Sequence, residues 1–291
     1  MNRFKRISLG VVGVAAVGTL AILSVLIYQG RHNAPGNPQY VALGSSFAAG
    51  LGLGDRAQGS PFACQRSVNG YPQQLARATG LSLVDMTCSG STAEHVLSGG
   101  QFFQGPQIDA VKSSTQLVTL TSGGNDISYI GDLVAMGYRN RGGLIGKVME
   151  VMMPAPHAFA ERDVAKAAAN IRASIASVRE RAPLAQIVVA TYVAVLPEQG
   201  TCDALSLTQD QVAVMRPVAD QLANITRAAA LANGATLVDM ATLGKGHDAC
   251  SREPWANGLA PENGAAFHPT VAGAKATALE IAKAAGLDIR P

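Results

Sequence analysis

From residue 40 onward the apolar positions fall into short runs that each stop at a polar or glycine-rich turn. The first, Tyr40 to Leu43, is β-prone and ends at Gly44, the pattern of a buried strand closed by a tight turn. Leu81 to Met86 leads into Thr87-Cys88-Ser89-Gly90-Ser91-Thr92, and Thr115 to Thr121 leads into Ser122-Gly123-Gly124-Asn125-Asp126. Gln186 to Val195 and Ala235 to Met240 are a fourth and a fifth run. Helical patterns lie between them. Tyr71 to Thr79 is one. Val164, Ala168, Ile171, Ile175 and Val178 mark a second, with Arg and Lys on the opposite face and Pro183 as its stop. A third, Gln209 to Ala232, is expected to kink at Pro217 and to stop at Asn233-Gly234. Thr270 then starts a last helix as an N-cap or first-turn residue. Gly50 to Gly59, 196–207 and 241–267 read as loops. From Ile127 to Pro156 the pattern weakens around Met136, Met149, Met152 and Met153; such residues are ordinary core or an adaptable apolar cover. Strand, turn and helix in repetition predict a three-layer α/β/α sandwich with about five parallel strands and right-handed crossovers.

The amino terminus has a different texture. Residues 7–28 carry no charge and follow Arg3, Lys5 and Arg6. At 1.5 Å per residue this run reaches roughly 33 Å, enough to cross a bilayer core. It reads as a signal-anchor, with residues 1–6 cytoplasmic, 7–28 a single transmembrane helix, 29–38 a linker and 39–291 one exported domain on the membrane's outer side. Secretion after signal cleavage is the alternative; the nearest small-x-small site, Ala34-Pro35-Gly36, has proline inside it.

Composition narrows the field. Arg3, Lys5 and Arg6 account for the whole net charge of +3, because the 23 Lys and Arg less these three match the 20 Asp and Glu. A balanced domain with no basic stripe excludes a nucleic-acid partner. There is no Gly-x-x-x-x-Gly-Lys phosphate cradle. The four cysteines, Cys64, Cys88, Cys202 and Cys250, contain no Cys-x-x-Cys pair for a metal or redox centre, and they fit export. Of three possible pairings, Cys64–Cys88 and Cys202–Cys250 are favoured because they close local loops. No metal or cofactor is expected, and the domain is expected to be a monomer.

The candidate chemistry begins at Ser46, at the carboxyl end of the first strand, where open α/β sheets place their ligands. A serine there is a nucleophile if a base reaches it; taken alone, it reads more readily as part of a Ser-rich turn capping a helix. In order, the chain then presents Cys88-Ser89-Gly90, Gly123-Gly124-Asn125-Asp126 and His268-Pro269-Thr270. This ordered set resembles the SGNH (GDSL-type) hydrolases, over about residues 40–285. The resemblance implies the flavodoxin-like fold of that family and serine esterase or lipase activity. It marks Ser46 as nucleophile, His268 as base, and the Ser46 and Gly90 N–H groups with the Asn125 amide as oxyanion donors. Gly90 suits the role because it lacks Cβ, and Asn125 because its amide donates without charge. Of the other histidines, His32 falls in the linker, His95 and His157 lack a strand-end context, and His247 lies beside Cys250.

Two departures from the family pattern stand out. Ser45 occupies the place of an Asp that usually precedes the nucleophile. Ala265 occupies the place of the orienting acid, three residues before the histidine. In a subset of secreted esterases of this family a backbone carbonyl takes that role, and the resemblance to this subset implies a Ser46–His268 dyad oriented by the carbonyl of Ala265 or Ala266. Glu262 is the fallback acid, and Trp255 is either a wall of the acyl pocket or loop packing. The substrate expected is a small-molecule or lipid carboxylic ester. An acyltransferase on the same dyad and a non-catalytic surface binding module are the alternatives. The α/β-hydrolase elbow Gly-x-Ser-x-Gly is absent, since Gly44-Ser45-Ser46-Phe47-Ala48 breaks it.

Overall fold

A computed structural model describes residues 17–30, 36–152 and 155–289. Five strands form one parallel sheet: β1 (Tyr40–Gly44), β2 (Leu83–Asp85), β3 (Leu117–Thr121), β4 (Gln186–Ala190) and β5 (Thr236–Val238), in the order β2-β1-β3-β4-β5. β1 is an inner strand, paired on both sides, with Tyr40 opposite both Leu83 and Leu117. Every residue of β1 and β3 is buried, as expected of a parallel sheet covered on both faces.

Alternation along the strands divides the core into two layers. Tyr40, Ala42, Leu117, Val188 and Ala190 face one way, onto α3 (Tyr71–Thr79) and α10 (Val271–Ala284). Val41, Leu43, Val118, Leu120, Ile187 and Val189 face the other way. They meet α4 (Ala93–Ser98), α7 (Val164–Arg181) and the carboxyl half of α8 (Gln209–Ala232). The architecture is the expected α/β/α sandwich. The order 2-1-3-4-5 sends the chain from β1 to one side and then back across it to β3. Such a reversal opens a crevice at the carboxyl ends of β1 and β3, where doubly wound sheets bind their ligands.

Several boundaries differ from those expected. β2 and β5 are shorter, and β4 ends at Ala190 rather than Val195, because Tyr192 leaves the sheet to carry its phenol beneath Ser45. α8 is one helix through Pro217. Where the pattern weakened, two further helices form, α5 (Tyr129–Arg141) and α6 (Gly143–Met152), and the loop after β5 opens with a short α9 (Met240–Leu243). α2 (Ser46–Ala49) follows β1 directly.

Residues 17–30 form helix α1, with Val17, Leu20, Ile22 and Val25 exposed. The expected cytoplasmic segment 1–6, the first part of the apolar run (7–16), linker positions 31–35 with His32, and Met153 lie outside the described residues. No helix among the described residues is long and apolar enough to cross a membrane.

Candidate active site

The turn at the end of β1 is fixed by close backbone packing. Gly44 has φ +135°, and a Cβ there would lie 2.2 Å from the Thr121 carbonyl oxygen, so only glycine fits where β1 passes the end of β3. The Ser45 N–H donates to that carbonyl at 3.0 Å. Ser46, 6% exposed, is the first residue of α2, a position whose N–H has no intrahelical acceptor.

Gln107, a residue the sequence did not single out, clamps this turn. Its Oε1 accepts from the Gly44 N–H at 2.7 Å, and its Nε2 donates to the Gly44 carbonyl at 3.1 Å and to Ser91 Oγ at 3.0 Å. The clamp ties the β1 turn to the turn after β2, where the Cys88 N–H also donates to the Gly44 carbonyl. Gly90 stands in that second turn at φ +81°, a left-handed conformation that favours glycine. Asn125 comes from the third turn, after β3. Its Nδ2 donates one proton to the Ser91 carbonyl at 2.8 Å, and the amide keeps a second. The Asp126 carboxylate accepts from the Ala93 N–H at 2.9 Å, pinning the start of α4 to the same turn.

Ser45 has its own partner. Its Oγ and the Tyr192 hydroxyl lie 2.6 Å apart, and that hydroxyl accepts from the Gly124 N–H at 3.3 Å. Where the family usually has Asp, a serine and a buried phenol thus join the β1 turn to the β3 turn. Burial pushes the Tyr192 hydroxyl up to about 12, so it stays a neutral hydroxyl.

His268 arrives from the far end of the chain. Its Nε2 lies 2.8 Å from Ser46 Oγ, and its Nδ1 lies 2.8 Å from the Ala266 carbonyl oxygen. A carbonyl only accepts, so Nδ1 carries the proton and Nε2 presents a lone pair to the serine hydroxyl. Phe47 packs against the imidazole with ring centroids 5.2 Å apart. Of the two carbonyls expected there, Ala266 meets the ring, while Ala265 accepts the His268 backbone N–H. Glu262 is exposed, and no carboxylate bonds the imidazole among the described residues. Burial lowers the His268 pKa to about 4, with the Ala266 bond pulling the other way. The ring is therefore neutral at ordinary pH, the state in which a base accepts a proton.

The remaining candidates serve the scaffold. His95 accepts from the Thr92 N–H in the cap of α4, His157 bonds Asp132, and His247 stacks on Trp255 at 4.2 Å. Trp255 is part of that loop packing, and its carbonyl accepts the Thr270 N–H at 2.9 Å. Disulfides join Cys64 to Cys88 and Cys202 to Cys250. The first sits beside the Gly90 turn, where the Ser89 N–H donates to the Cys64 carbonyl. Among the described residues no three His, Cys, Asp or Glu side chains gather as a metal site.

A neutral imidazole on a serine hydroxyl, with N–H donors on two adjacent turns, is the equipment of acyl transfer. Residues 42–276 match the model of the GDSL-like lipase/acylhydrolase family. The chain is 34% identical over 249 residues to a lipase of Streptomyces coelicolor, covering 81% of this chain and 82% of that protein. It is similar in structure to an extracellular lipase of Streptomyces rimosus, with TM-score 0.64, 28% identity, and 84% and 98% of the two chains covered. A phospholipase A1 of Streptomyces albidoflavus gives TM-score 0.67 at the same identity and coverage.

Proposed function

Because this chain belongs to the GDSL-like lipase/acylhydrolase family, it is a carboxylic ester hydrolase, and we propose that it is an exported serine esterase working through a Ser46–His268 dyad. Ser46 Oγ attacks the ester carbonyl carbon while His268 Nε2 takes the hydroxyl proton. The tetrahedral oxyanion is held by the N–H groups of Ser46 and Gly90 and by the free proton of the Asn125 amide. As the intermediate collapses, the C–O bond to the alcohol breaks and His268 returns its proton to the leaving oxygen. Water repeats the cycle on the acyl-enzyme and frees the acid. The Ala266 carbonyl fixes the tautomer, and the partial negative charge on its oxygen stabilises the transient imidazolium, in place of a carboxylate.

The observation that carries this reading is the 2.8 Å contact between His268 Nε2 and Ser46 Oγ, backed by the 2.8 Å contact from Nδ1 to Ala266. An apolar acyl or lipid ester is the substrate class favoured. Exposed aromatic rings flank the Gly90 turn: Phe62 lies two residues before the Cys64–Cys88 bridge, and Phe102 follows Gln101, whose amide donates to the Ser89 carbonyl. Relatives named as lipases and a phospholipase agree with that class. The two disulfides support export to an oxidising compartment. The apolar run 7–28 would tether the domain there; recovery of the protein in culture medium, without that run, would replace the tether by secretion.

The test is a serine-directed fluorophosphonate followed by peptide mapping, with a chain-length series of chromogenic esters as the activity assay. Label on Ser46, and hydrolysis lost in Ser46→Ala but only reduced in Ser45→Ala, is the expected result. Label on another residue, or full activity in Ser46→Ala, would sink the dyad.

A further inference from the structure

The turn that carries Gly90 is closed by the Ser91 N–H, which donates to the Cys88 carbonyl at 3.0 Å. Ser89 and Gly90 are therefore its two central residues. Gly90 has φ +81°, while φ at Ser89 is not positive, the signature of a type II turn. Between types I and II the ends of a turn stay in place and the central peptide turns over, and glycine at the third position admits both. The central peptide here joins the Ser89 carbonyl to the Gly90 N–H. A trans peptide is planar, with its C=O and N–H on opposite edges, so whatever holds that carbonyl aims that N–H.

Backbone partners fix the neighbouring groups. The Cys88 N–H donates to the Gly44 carbonyl and the Ser89 N–H to the Cys64 carbonyl. The peptide between Ser89 and Gly90 has no backbone partner on either edge among the described residues. A side chain holds it instead: Gln101 Nε2 donates to the Ser89 carbonyl at 2.6 Å. A Cβ on residue 90 would lie 2.9 Å from that nitrogen, so the amide sits over the turn only because residue 90 is glycine. Gln101 Oε1 is buried without a partner among the described residues, which leaves the bond to Ser89 as the one this side chain makes.

The backbone that delivers Gln101 is strained. Gly99 and Gly100 have φ +66° and +94°, and Phe102 and Phe103 have +48° and +62°, a conformation that large side chains rarely adopt. Both rings stay about half exposed, so their burial does not explain the bend. Two bonds of 2.8 Å close it, from the Gly100 N–H to the Gln104 carbonyl and from the Gln104 N–H to the Gln101 carbonyl. Strain of this kind persists where the surrounding structure enforces a functional geometry.

We propose that Gln101 is a positioning residue for ester hydrolysis, one that holds the Ser89 carbonyl so that the Gly90 N–H stays turned toward the oxyanion. This role rests on the reading of Gly90 as an oxyanion donor. Without the Gln101 amide the central peptide is free to rock and to turn over toward type I, which carries the N–H off its target. The oxyanion exists only after attack, so the loss falls on kcat and leaves KM in place.

Two variants of the full chain test it. Gln101→Met keeps the length of the side chain and removes the donor. Gln101→Glu keeps its shape and, ionised at about pH 8, offers only acceptors. Each should lower kcat about tenfold at that pH with KM unchanged, because the N–H is misplaced rather than deleted. The acid limb of the pH profile should stay where it is, since His268 is untouched. Fluorophosphonate should still label Ser46, but more slowly. Full kcat in either variant, with Ser46 labelled, overturns the role of Gln101 and leaves the dyad standing. A rise in KM with kcat unchanged assigns Gln101 to substrate binding, and an acid limb that moves assigns the damage to His268; either result overturns the proposal. No label on Ser46 in the wild type removes the dyad and this role together. Circular dichroism and melting curves show which variants are folded, and if one is not, the other carries the comparison.

Discussion

Burial, not a neighbouring charge, sets the protonation of His268. With its pKa near 4 in the folded protein, the neutral imidazole persists well below the ordinary value of 6.5. The acid limb of kcat/KM, which reports the free enzyme, should fall through about pH 4; a limb at 6.5 would mean that the ring is solvated in the working enzyme. The same displacement affects stability. Between about pH 6.5 and 4 the unfolded chain binds a proton at this histidine and the folded chain does not. Its contribution is thus complete above 6.5 and is lost as pH falls toward 4. His268→Ala should remove that slope, so urea midpoints at pH 7 and 5 should differ less in the variant than in the wild type. Asn125→Ala should lower kcat about 10²–10³-fold, the effect of deleting one oxyanion donor. Glu262→Gln should cost far less than His268→Ala; an equal collapse of kcat in both would make Glu262 the third member of a triad. At this scale the motifs of the sequence put Ser46 after a strand, Gly90 and Asn125 in polar turns and His268 before a helix cap, and the structure brings Ser46 and His268 to 2.8 Å. Gln107 and Tyr192 were not legible there, because a lone Gln in a loop and a Tyr past a strand acquire meaning only from partners 63 and 147 residues away.

The elements explain how three separate turns become one site. Gln107 ties the β1 turn to the β2 turn, Asn125 and Asp126 tie the β2 turn to the β3 turn, and Tyr192 closes the circuit from β3 back to β1. Tyr192→Phe leaves Ser45 Oγ and the Gly124 N–H without a partner. It should lower stability by about 1–3 kcal/mol and reduce kcat more than KM, because the turns carrying the serine and the amide are no longer joined. Unchanged denaturation and unchanged kcat would show that the remaining links suffice. The strand and helix pattern was readable where burial is one-sided or complete, as in β1, β3, α7 and α10. It failed over 127–156 for a physical reason. α6 meets α5 through Gly146, whose Cβ would lie 2.9 Å from the Tyr138 carbonyl, while Leu144, Ile145, Val151 and Met152 face outward. The polar face of α6 holds only Lys147 and Glu150, and its apolar side chains stay exposed, so its pattern does not mark a core-facing stripe. Met136 is core, whereas Met152 is exposed on α6, so the methionines form no single cover.

For the molecule as a whole, the disulfides span 24 and 48 residues. On the chain-entropy account each contributes about 3–4 kcal/mol. Loss of Cys202–Cys250 by paired serine substitution should lower the melting temperature, and loss of Cys64–Cys88 should lower both the melting temperature and kcat, since that bridge sits against the Gly90 turn. A Cys64/Cys88 variant that melts earlier but keeps its kcat would free the oxyanion turn from the bridge.

Ser46 and His268 are 222 residues apart. The strand that carries the proposed nucleophile is laid down near the beginning of synthesis, and the proposed base arrives only with the loop that precedes α10. A contact of such sequence separation closes late, after the local helices and the neighbouring strands have formed. Activity is therefore a clock for the last event of folding. In refolding from denaturant, ester hydrolysis should return with the slowest phase, behind the recovery of helical circular dichroism. A chain still emerging during synthesis carries a finished nucleophile turn and no catalyst, and its esterase switches on only when the carboxyl-terminal helix docks.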